Sequence, residues 1–322
     1  MHLKFLSKLT LTCCLTLSLV AFAGNTSPQN ADISYLLTAS AKGDVATVNA
    51  MLASGVNPNT QDEDHITALM YASRKNQAEV VSALLEKGAN INAVDKGGWT
   101  ALMFAAKKNH LNAAKVLLAK GADAKVRDPA GWSALGLAAS SGYSELVDLI
   151  IKNGIDANTK SDNGRTVLMY ATQNGDVPTI TALVNNGAKL DTQDKLGTTA
   201  LMIAGRQGHT PAVSYLLEKG ADIRAEDEYK WTALTWAVKK SHVETAKVLI
   251  YKGAEVNHRD TEGTPLLQLA VDTNNTEMVR LLLANKADVK ARDKYGLTAY
   301  VYALRKQNPA IVELIKDAGG RY

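Results

Sequence analysis

The amino-acid sequence predicts an all-α solenoid, in which stacked helix-turn-helix units of 33 residues carry projecting hairpin or finger loops. One observation is a regular period: steps of 33 residues from Thr100 reach Ser, Thr or Pro in nine successive copies, without insertion or deletion. Another is that the residue five positions later is alanine in all nine copies, from Ala39 to Ala303. Such a period is typical of solenoids, because each unit buries its apolar face against its neighbours.

The stretch Asp95–Arg127 shows how each element of a unit follows from its residues. Thr100 is a favoured N-cap residue, so a short first helix is expected after it, and Asn109 suits the left-handed residue that ends this helix. The apolar residues of 111–118 keep helical spacing and predict a second helix that stops at Gly121. The polar remainder, with Asp-x-x-Gly at its tip, predicts a finger that projects sideways.

Several short motifs recur at fixed places in the unit. The clearest examples are Asp95, Gly98, Thr100, Ala101, Leu102, Met103 and Ala105, together with Gly208-His209, Gly121-Ala122-Asp123 and Gly220-Ala221-Asp222. Through these residues the unit resembles the ankyrin repeat, and the resemblance extends over about Ile33 to Arg321. It implies a solenoid of stacked helix pairs that binds partner proteins through its concave face.

A few turn positions depart from the ankyrin pattern. His65 and Lys230 stand where the finger glycine belongs, Lys286 where the glycine after the second helix belongs, and Ser161 where the finger aspartate belongs. Because residues other than glycine rarely adopt positive φ, these turns are expected to be strained or reshaped.

Residues 1–23 differ from the repeats and predict a secretory signal peptide. Lys4 and Lys8 precede an apolar run from Leu9 to Val20, and Ala21-Phe22-Ala23 provides the small residues that cleavage requires. The run is too short for a permanent membrane anchor, which needs about 20 apolar residues. A lipid on Cys13 is not expected, because threonine precedes it in place of Gly, Ala or Ser.

Residues 24–32 are polar and contain Pro28, which predicts a flexible leader. Residues 33–322 are predicted to form one ankyrin-repeat domain of about nine repeats, with terminal repeats that cap the stack. Cleavage after residue 23 removes both cysteines and leaves a net charge of +2, which does not favour nucleic acid as a partner. The expected location is the periplasm or the secreted fraction, without a membrane anchor, and the free protein is expected to be a monomer.

The titratable residues predict no catalytic residue, no metal site and no cofactor. His110, His209 and His242 share one repeat position, so they should lie at least about 8 to 10 Å apart, whereas zinc needs ligands at about 2.1 Å. The acidic runs Asp62-Glu63-Asp64 and Glu226-Asp227-Glu228 fall on finger tips, where solvated charge is expected. No pocket is expected there that would separate the pKa values of two carboxyl groups.

A basic row lies just before the turn that follows each first helix, with two positions in each unit. Ten of its members are basic and one is acidic, so the row carries +9 and the rest of the mature chain −7. Helix dipoles favour Lys and Arg at helix C-termini and could explain several of them. The second helices have the same dipole but end in mixed residues, so a partner-binding surface is the preferred interpretation. Its candidate residues are Arg74, Lys75, Lys107, Lys108, Arg206, Lys239 and Lys240.

A second candidate set is aromatic. Trp99, Trp132 and Trp231 share the position between the finger glycine and the first helix, which in the ankyrin family lines the concave face. Because tryptophan is enriched at interface hot spots, these residues and Tyr229 are predicted to bind a partner. The alternative is that the rings only cover neighbouring fingers. Trp236 occupies a first-helix position that is apolar in other units, and is predicted to lie in the core.

The sequence therefore favours a non-catalytic protein–protein interaction module in the periplasm, which shields, stabilises or inhibits another periplasmic protein through its concave face. The partner is expected to present an acidic surface patch, and by resemblance to exported bacterial ankyrin-repeat proteins it could be an enzyme. A carbohydrate or cell-wall (peptidoglycan) ligand is the alternative, because exposed Trp and Tyr rings can stack on sugars. An enzyme with an unrecognised site is the third hypothesis.

Overall fold

The structure is a computed structural model, and it describes residues 28–321. The predicted signal peptide lies outside these residues. Within them, eighteen α-helices form nine consecutive pairs. The bounds in chain order are α1 Pro28–Lys42, α2 Val45–Ala53, α3 Ala68–Arg74, α4 Ala78–Glu86, α5 Ala101–Lys107, α6 Leu111–Ala119, α7 Ala134–Ser140, α8 Ser144–Lys152, α9 Val167–Asn174, α10 Val177–Asn185, α11 Ala200–Gln207, α12 Thr210–Glu218, α13 Ala233–Lys239, α14 Val243–Tyr251, α15 Leu266–Asp272, α16 Thr276–Ala284, α17 Ala299–Lys306 and α18 Pro309–Asp317.

The helices stack in two rows, since each odd-numbered helix contacts the next odd-numbered one and each even-numbered helix the next even-numbered one. The nine repeat alanines, from Ala39 to Ala303, are at most 4% exposed. An added Cβ on Gly205 would lie 2.5 Å from the carbonyl oxygen of Ala233, so α11 and α13 approach very closely. Small residues at this junction allow the rows to form, and the predicted all-α solenoid is confirmed.

The predicted helix ends are also confirmed. The hydroxyl of Thr100 caps α5 by accepting a hydrogen bond of 3.2 Å from the amide of Met103. Asn109 and Gly121 have positive φ angles of 56° and 87° and turn the chain after α5 and α6. The same hydroxyl cap is present at Thr67, Ser133, Thr166, Thr199 and Thr232.

Each finger is closed by a repeated aspartate turn. Oδ1 of Asp95 accepts hydrogen bonds of 2.9 and 2.8 Å from the amides of Gly97 and Trp99. Neighbouring fingers are joined through their backbones, for example by the amide of Lys96, which donates to the carbonyl oxygen of Asp64 at 3.0 Å. The same link is made by the amides of Lys195, Glu228 and Thr261, so several fingers are tied to their neighbours beside the odd-numbered helices.

The departures from the repeat pattern do not reshape the turns. His65, Lys230 and Lys286 keep the left-handed backbone, with φ angles of 63°, 58° and 65°. In the unit where serine replaces the finger aspartate, Oδ1 of Asn163 accepts the amide of Arg165 at 3.3 Å and takes over part of the aspartate's role. The cost is local backbone strain, because a side chain in the left-handed region crowds the following carbonyl oxygen.

The first helix begins earlier than the sequence suggests. Helix α1 starts at Pro28, so residues 28–32, which the sequence assigns to a flexible leader, are helical. Proline at the first helical position costs nothing, because the amide there has no partner within the helix.

Candidate functional site

A first-helix aromatic residue connects the finger tryptophans to the basic row. The ring centroid of Phe104 lies 5.3 Å from that of Trp99. The guanidinium carbon of Arg74, from the preceding unit, lies 6.0 Å from the Phe104 ring centroid. Lys107 and Lys108 follow in the same unit and are exposed. We call Arg74, Trp99, Phe104, Lys107 and Lys108 the first cluster.

The second cluster consists of Arg206, Trp231, Trp236, Lys239 and Lys240. The ring centroids of Trp231 and Trp236 are 4.6 Å apart with the rings at 67°, and the guanidinium carbon of Arg206 lies 5.2 Å from the Trp236 centroid. Trp236 is half-buried, so the prediction that it lies in the core is wrong. Leucine or isoleucine fits inside the stack at this position, whereas the longer indole extends out of it and forms a floor beneath Arg206.

Hydrogen bonds hold these rings in place. Nε1 of Trp99 donates to Oδ2 of Asp128 at 3.0 Å, and Nε1 of Trp236 donates to Oδ2 of Asp227 at 2.9 Å. Asp227 is only 7% exposed, and it also accepts the amide of Trp231 at 2.8 Å. Rings that are already fixed lose little conformational entropy when a partner binds.

Tyr71 also contacts Arg74. The guanidinium carbon lies 4.7 Å from the Tyr71 ring centroid, and the tyrosine hydroxyl donates a hydrogen bond of 2.8 Å to Oδ2 of Asp62. This hydrogen bond, with a smaller effect of burial, raises the pKa of Tyr71. The hydrogen bond from the hydroxyl to Asp62 holds the Tyr71 ring against Arg74.

Histidines support the backbone beneath each arginine. Nε2 of His110 lies 3.0 Å from the carbonyl oxygen of Arg74, and Nε2 of His242 lies 3.1 Å from that of Arg206. His209 makes the same contact with the unit before it. A ring nitrogen that faces a carbonyl oxygen must carry its proton, so Nε2 of each of these histidines donates a hydrogen bond that joins neighbouring units. In the part of the chain that the structure describes, no group of His, Cys, Asp or Glu could hold a metal ion.

Trp132 has different surroundings. An added Cβ on Gly136 would lie 3.3 Å from the Trp132 ring, whose centroid lies 4.8 Å from that of Tyr170. The nearby cation, Arg165, places Nε 3.7 Å from Oδ2 of Asp194, with only 19% and 7% of the two side chains exposed. Trp132 is therefore half-buried beside a cation that is already neutralised.

The basic residues of the two clusters, and Lys75 next to Arg74, are not neutralised in this way. Among residues 33–321, no acid forms an ion pair with Arg74, Lys75, Lys107, Lys108, Arg206, Lys239 or Lys240. Their five lysines are exposed, and the two arginines are half-buried against their rings. Farther along the basic row, Lys306 does pair with Asp272, at 3.8 Å.

Tyr229 extends the aromatic surface at the tip of the finger before Trp231. It is 53% exposed, and its ring centroid lies 6.5 Å from that of Trp231. Behind the rings, Arg206, Trp236 and Lys240 line a cleft of about 570 Å³. The Arg206 guanidinium, which the Trp236 ring holds in place, and the Lys240 ammonium can both donate charge-assisted hydrogen bonds to an anionic group in this cleft.

The residues that join the two sets, Phe104 and Trp236, were not predicted as site residues. A signal for them exists, because one first-helix position is aromatic in five units. Its aromatic residues are Tyr71, Phe104, Tyr170, Trp236 and Tyr302.

Among residues 28–321, none of the helices combines the length and the apolar character of a membrane span.

Comparisons with known proteins agree with this architecture. The family model described as "Ankyrin repeats (3 copies)" matches residues 36–128, 121–194 and 168–260, and the one described as "Ankyrin repeats (many copies)" matches residues 249–303. No curated protein matches the chain. A similar solved structure is the crystal structure of the human ASB11 ankyrin repeat domain, with a TM-score of 0.63, 25% sequence identity, and coverage of 70% of this chain and 100% of that one. Since the family models together match residues 36–303, the chain belongs to the ankyrin-repeat family, whose fold is a non-catalytic scaffold for protein–protein interaction.

Proposed function

We propose that this protein is a periplasmic module that binds another exported protein through the concave face formed by its fingers and first helices. The partner presents an acidic patch to this face, and binding shields, stabilises or inhibits it; a periplasmic enzyme is the partner class we favour. The module is a monomer when free. The observation that carries the proposal is the contact of each unpaired arginine with an aromatic ring, which in turn contacts a finger tryptophan.

This arrangement has the two parts that a protein interface needs. Large rings supply apolar contact area, and such residues dominate binding energy when a partner covers them. Hydrogen bonds fix the rings of Trp99 and Trp236, and the Trp231 ring packs on that of Trp236. The exposed lysines beside them attract an acidic partner and speed its association, because rim charges act mainly through steering. In this proposal Trp99 and Trp231 are the anchors, and Trp132 and Tyr229 complete the aromatic surface.

Affinity capture tests the proposal directly. Residues 24–322, immobilised and exposed to periplasmic extract at moderate salt, should retain a partner that can then be identified and purified. Replacing Trp99 or Trp231 with alanine should weaken the binding of that partner by about 2 kcal/mol, which raises the dissociation constant roughly 30-fold. The melting temperature should change little. Capture that survives both substitutions unchanged would contradict a role for the aromatic surface.

Trp132→Ala separates contact from support. Because the ring packs on Gly136 and Tyr170, this substitution should lower the melting temperature more than Trp99→Ala, in addition to weakening the partner. A loss of binding without a loss of stability would make Trp132 an anchor of the same kind as Trp99.

Export is tested separately. Signal peptidase cleavage after Ala23 should give a mature chain that begins at Gly24, and intact-mass measurement decides this. A protein that retains Met1, or one that begins at Cys13 with a lipid attached, would contradict the periplasmic location.

A carbohydrate ligand is the second candidate, favoured by two exposed finger-tip rings. Tyr229 is 53% exposed and Tyr295 is 70% exposed, and planar rings of this kind can stack on sugars. Co-sedimentation with purified peptidoglycan, lost on replacing both tyrosines with alanine, would support this ligand over a protein partner.

A further inference from the structure

The two clusters are copies of one constellation. Each member of the first cluster has a counterpart at the same repeat position, four units later along the stack. The pairs are Arg74 and Arg206, Trp99 and Trp231, Phe104 and Trp236, Lys107 and Lys239, Lys108 and Lys240, and the supporting His110 and His242. With helix layers about 8 to 10 Å apart, the clusters lie about 32 to 40 Å from each other.

The units between the clusters contribute no charge to the basic row. The row residues there are Ser140, Ser141, Gln173 and Asn174. The hydroxyl of Ser140 donates to a carbonyl of its own helix at 3.1 Å, the amide of Asn174 donates to the carbonyl oxygen of Ser140, and Gln173 accepts from Arg165 at 3.1 Å. This segment is therefore neutral, and much of its hydrogen-bonding capacity is used internally.

The chemistry of each cluster suits a carboxylate-rich segment of a protein. A guanidinium that lies on a ring leaves its N–H edge free, and this edge matches the two oxygens of a carboxylate. The clusters lie at the C-terminal ends of the odd-numbered helices, where the backbone offers acceptors and the helix dipole is negative. Phosphate sites commonly use the N–H groups of helix N-termini, which these helix ends lack, so the side chains alone must hold an anion here. An acidic peptide suits this arrangement, because it can offer one carboxylate to the arginine and one to each lysine of a cluster.

We propose that the concave face carries two equivalent binding sites, one at each cluster, and that each site takes one acidic segment of the partner. A partner with two such segments, about 32 to 40 Å apart with a neutral surface between them, occupies both sites at once. This inference rests on the proposed function, because it assigns the acidic partner to the same face.

The number of sites can be measured with a defined probe. A fluorescein-labelled peptide with one run of six glutamates should bind residues 24–322 at low salt with a stoichiometry of two. Reversing Arg206, Lys239 and Lys240 to glutamate should leave a stoichiometry of one, and so should reversing Arg74, Lys107 and Lys108. A single site in the unmodified protein would overturn the inference.

The spacing is tested with peptides in which a Gly/Ser linker joins two runs of three glutamates. A flexible linker of about 40 residues has an r.m.s. length of about 36 Å and spans the clusters, whereas with a linker of two residues the whole peptide of eight residues reaches at most about 28 Å. The long-linker peptide should bind at least about tenfold tighter than the short-linker peptide, because the second contact becomes intramolecular. Either charge-reversed variant should abolish this advantage. Equal affinities of the two peptides for the unmodified protein would overturn the inference.

A matched control has the same change in net charge elsewhere. Lys87, Lys120 and Lys252 are exposed at the ends of second helices, and reversing all three should keep both the stoichiometry of two and the long-linker advantage. An equal loss in this control would show that only net charge matters, and would overturn the inference. The proposed function has a separate readout, since capture of a partner that depends on Trp99 and Trp231 would stand even if the peptides showed no spacing effect.

Discussion

The middle of the stack and the second cluster each contain an arginine that lies on an aromatic ring, but the two arginines differ in their ion pairing. The guanidinium carbons of Arg165 and Arg206 lie 5.6 and 5.2 Å from the ring centroids of Tyr170 and Trp236. Arg165 also pairs with Asp194, one finger away, whereas Arg206 has no acid partner among the described residues. An arginine on a ring is therefore either internal support or available to a ligand. Arg165 occupies the finger position that holds tryptophan in other units and reaches Asp194, whereas Asp227, in the finger after Arg206, accepts hydrogen bonds from Trp231 and Trp236.

The largest expected effect comes from breaking the pair in the middle of the stack. Asp194→Asn should lower the free energy of unfolding by about 2 to 3 kcal/mol, because it leaves Arg165 mostly buried without a counter-charge. Urea melts at neutral pH measure this. Asp272→Asn is the control, since its pair with Lys306 is more exposed and should be worth less than about 1 kcal/mol. Equal losses would mean that burial does not separate the two pairs.

The next effect concerns the packing beneath these surfaces. Ala171→Leu should destabilise the protein by about 1 to 3 kcal/mol, because the repeat alanine is fully buried between adjacent helices and an added side chain overpacks the junction. Ser141→Leu, on the neutral segment of the basic row, should change stability by less than about 0.5 kcal/mol. Denaturant melts in which the two substitutions have the same effect would show that the register of the stack is wrong.

A smaller effect separates the fingers of the two regions. The finger before Trp231 turns at Lys230 with φ 58°, whereas the finger in the middle turns at Gly164. Lys230→Gly should stabilise the protein by about 0.5 to 1 kcal/mol, because glycine relieves the left-handed strain but costs some chain entropy. Thermal melts should compare this variant with Lys195→Gly, which is the control because its finger already turns at a glycine. The difference between the two changes in stability measures the strain at Lys230. A decrease in stability on Lys230→Gly would mean that the lysine side chain contributes more than the strain costs.

The smallest effect is a pH dependence at the first cluster. The raised pKa of Tyr71 comes mainly from its hydrogen bond to Asp62. A tyrosine whose pKa is raised on folding stabilises the folded protein, fully so at pH values below its pKa in the unfolded state, about 10. This stabilisation is lost as the pH rises through the pKa in the folded state. The difference in unfolding free energy between the unmodified protein and Tyr71→Phe should therefore shrink above about pH 10. If this difference stays constant across about pH 10, the ionisation of Tyr71 does not affect the stability of the fold.

The sequence was sufficient for the fold because most local features recur in most of the nine units. Caps such as Thr100, turns such as Asn109 and the buried alanines depend on neighbours within one or two units, so position in the repeat determines their environment. Trp236 shows where this reasoning fails. Its position is buried when it holds Leu137 or Ile203, at 4% and 0% exposure, but a larger ring at the same place reaches the surface.

The availability of the basic residues could not be read from their number. Arg165 is neutralised by Asp194 from the following finger, and Lys306 by Asp272 from the preceding unit. Such pairs depend on the offset between adjacent units and on side-chain direction, which composition does not contain. Pairing thus distinguishes Lys306 from the basic residues of the two clusters, a difference that charge counting alone would have missed.

The stacking of each layer on the next has a consequence for the whole array. Stability in such a protein is a sum of unit and interface contributions, and opening begins at the ends, where a layer has one neighbour. The first cluster, on α3 and α5, begins one layer from the N-terminal end, whereas α11 and α13 lie deeper inside. A partner that binds both clusters would hold the layers from α3 to α13 together, because the layers of the first cluster could then open only by releasing a ligand that is also bound in the interior.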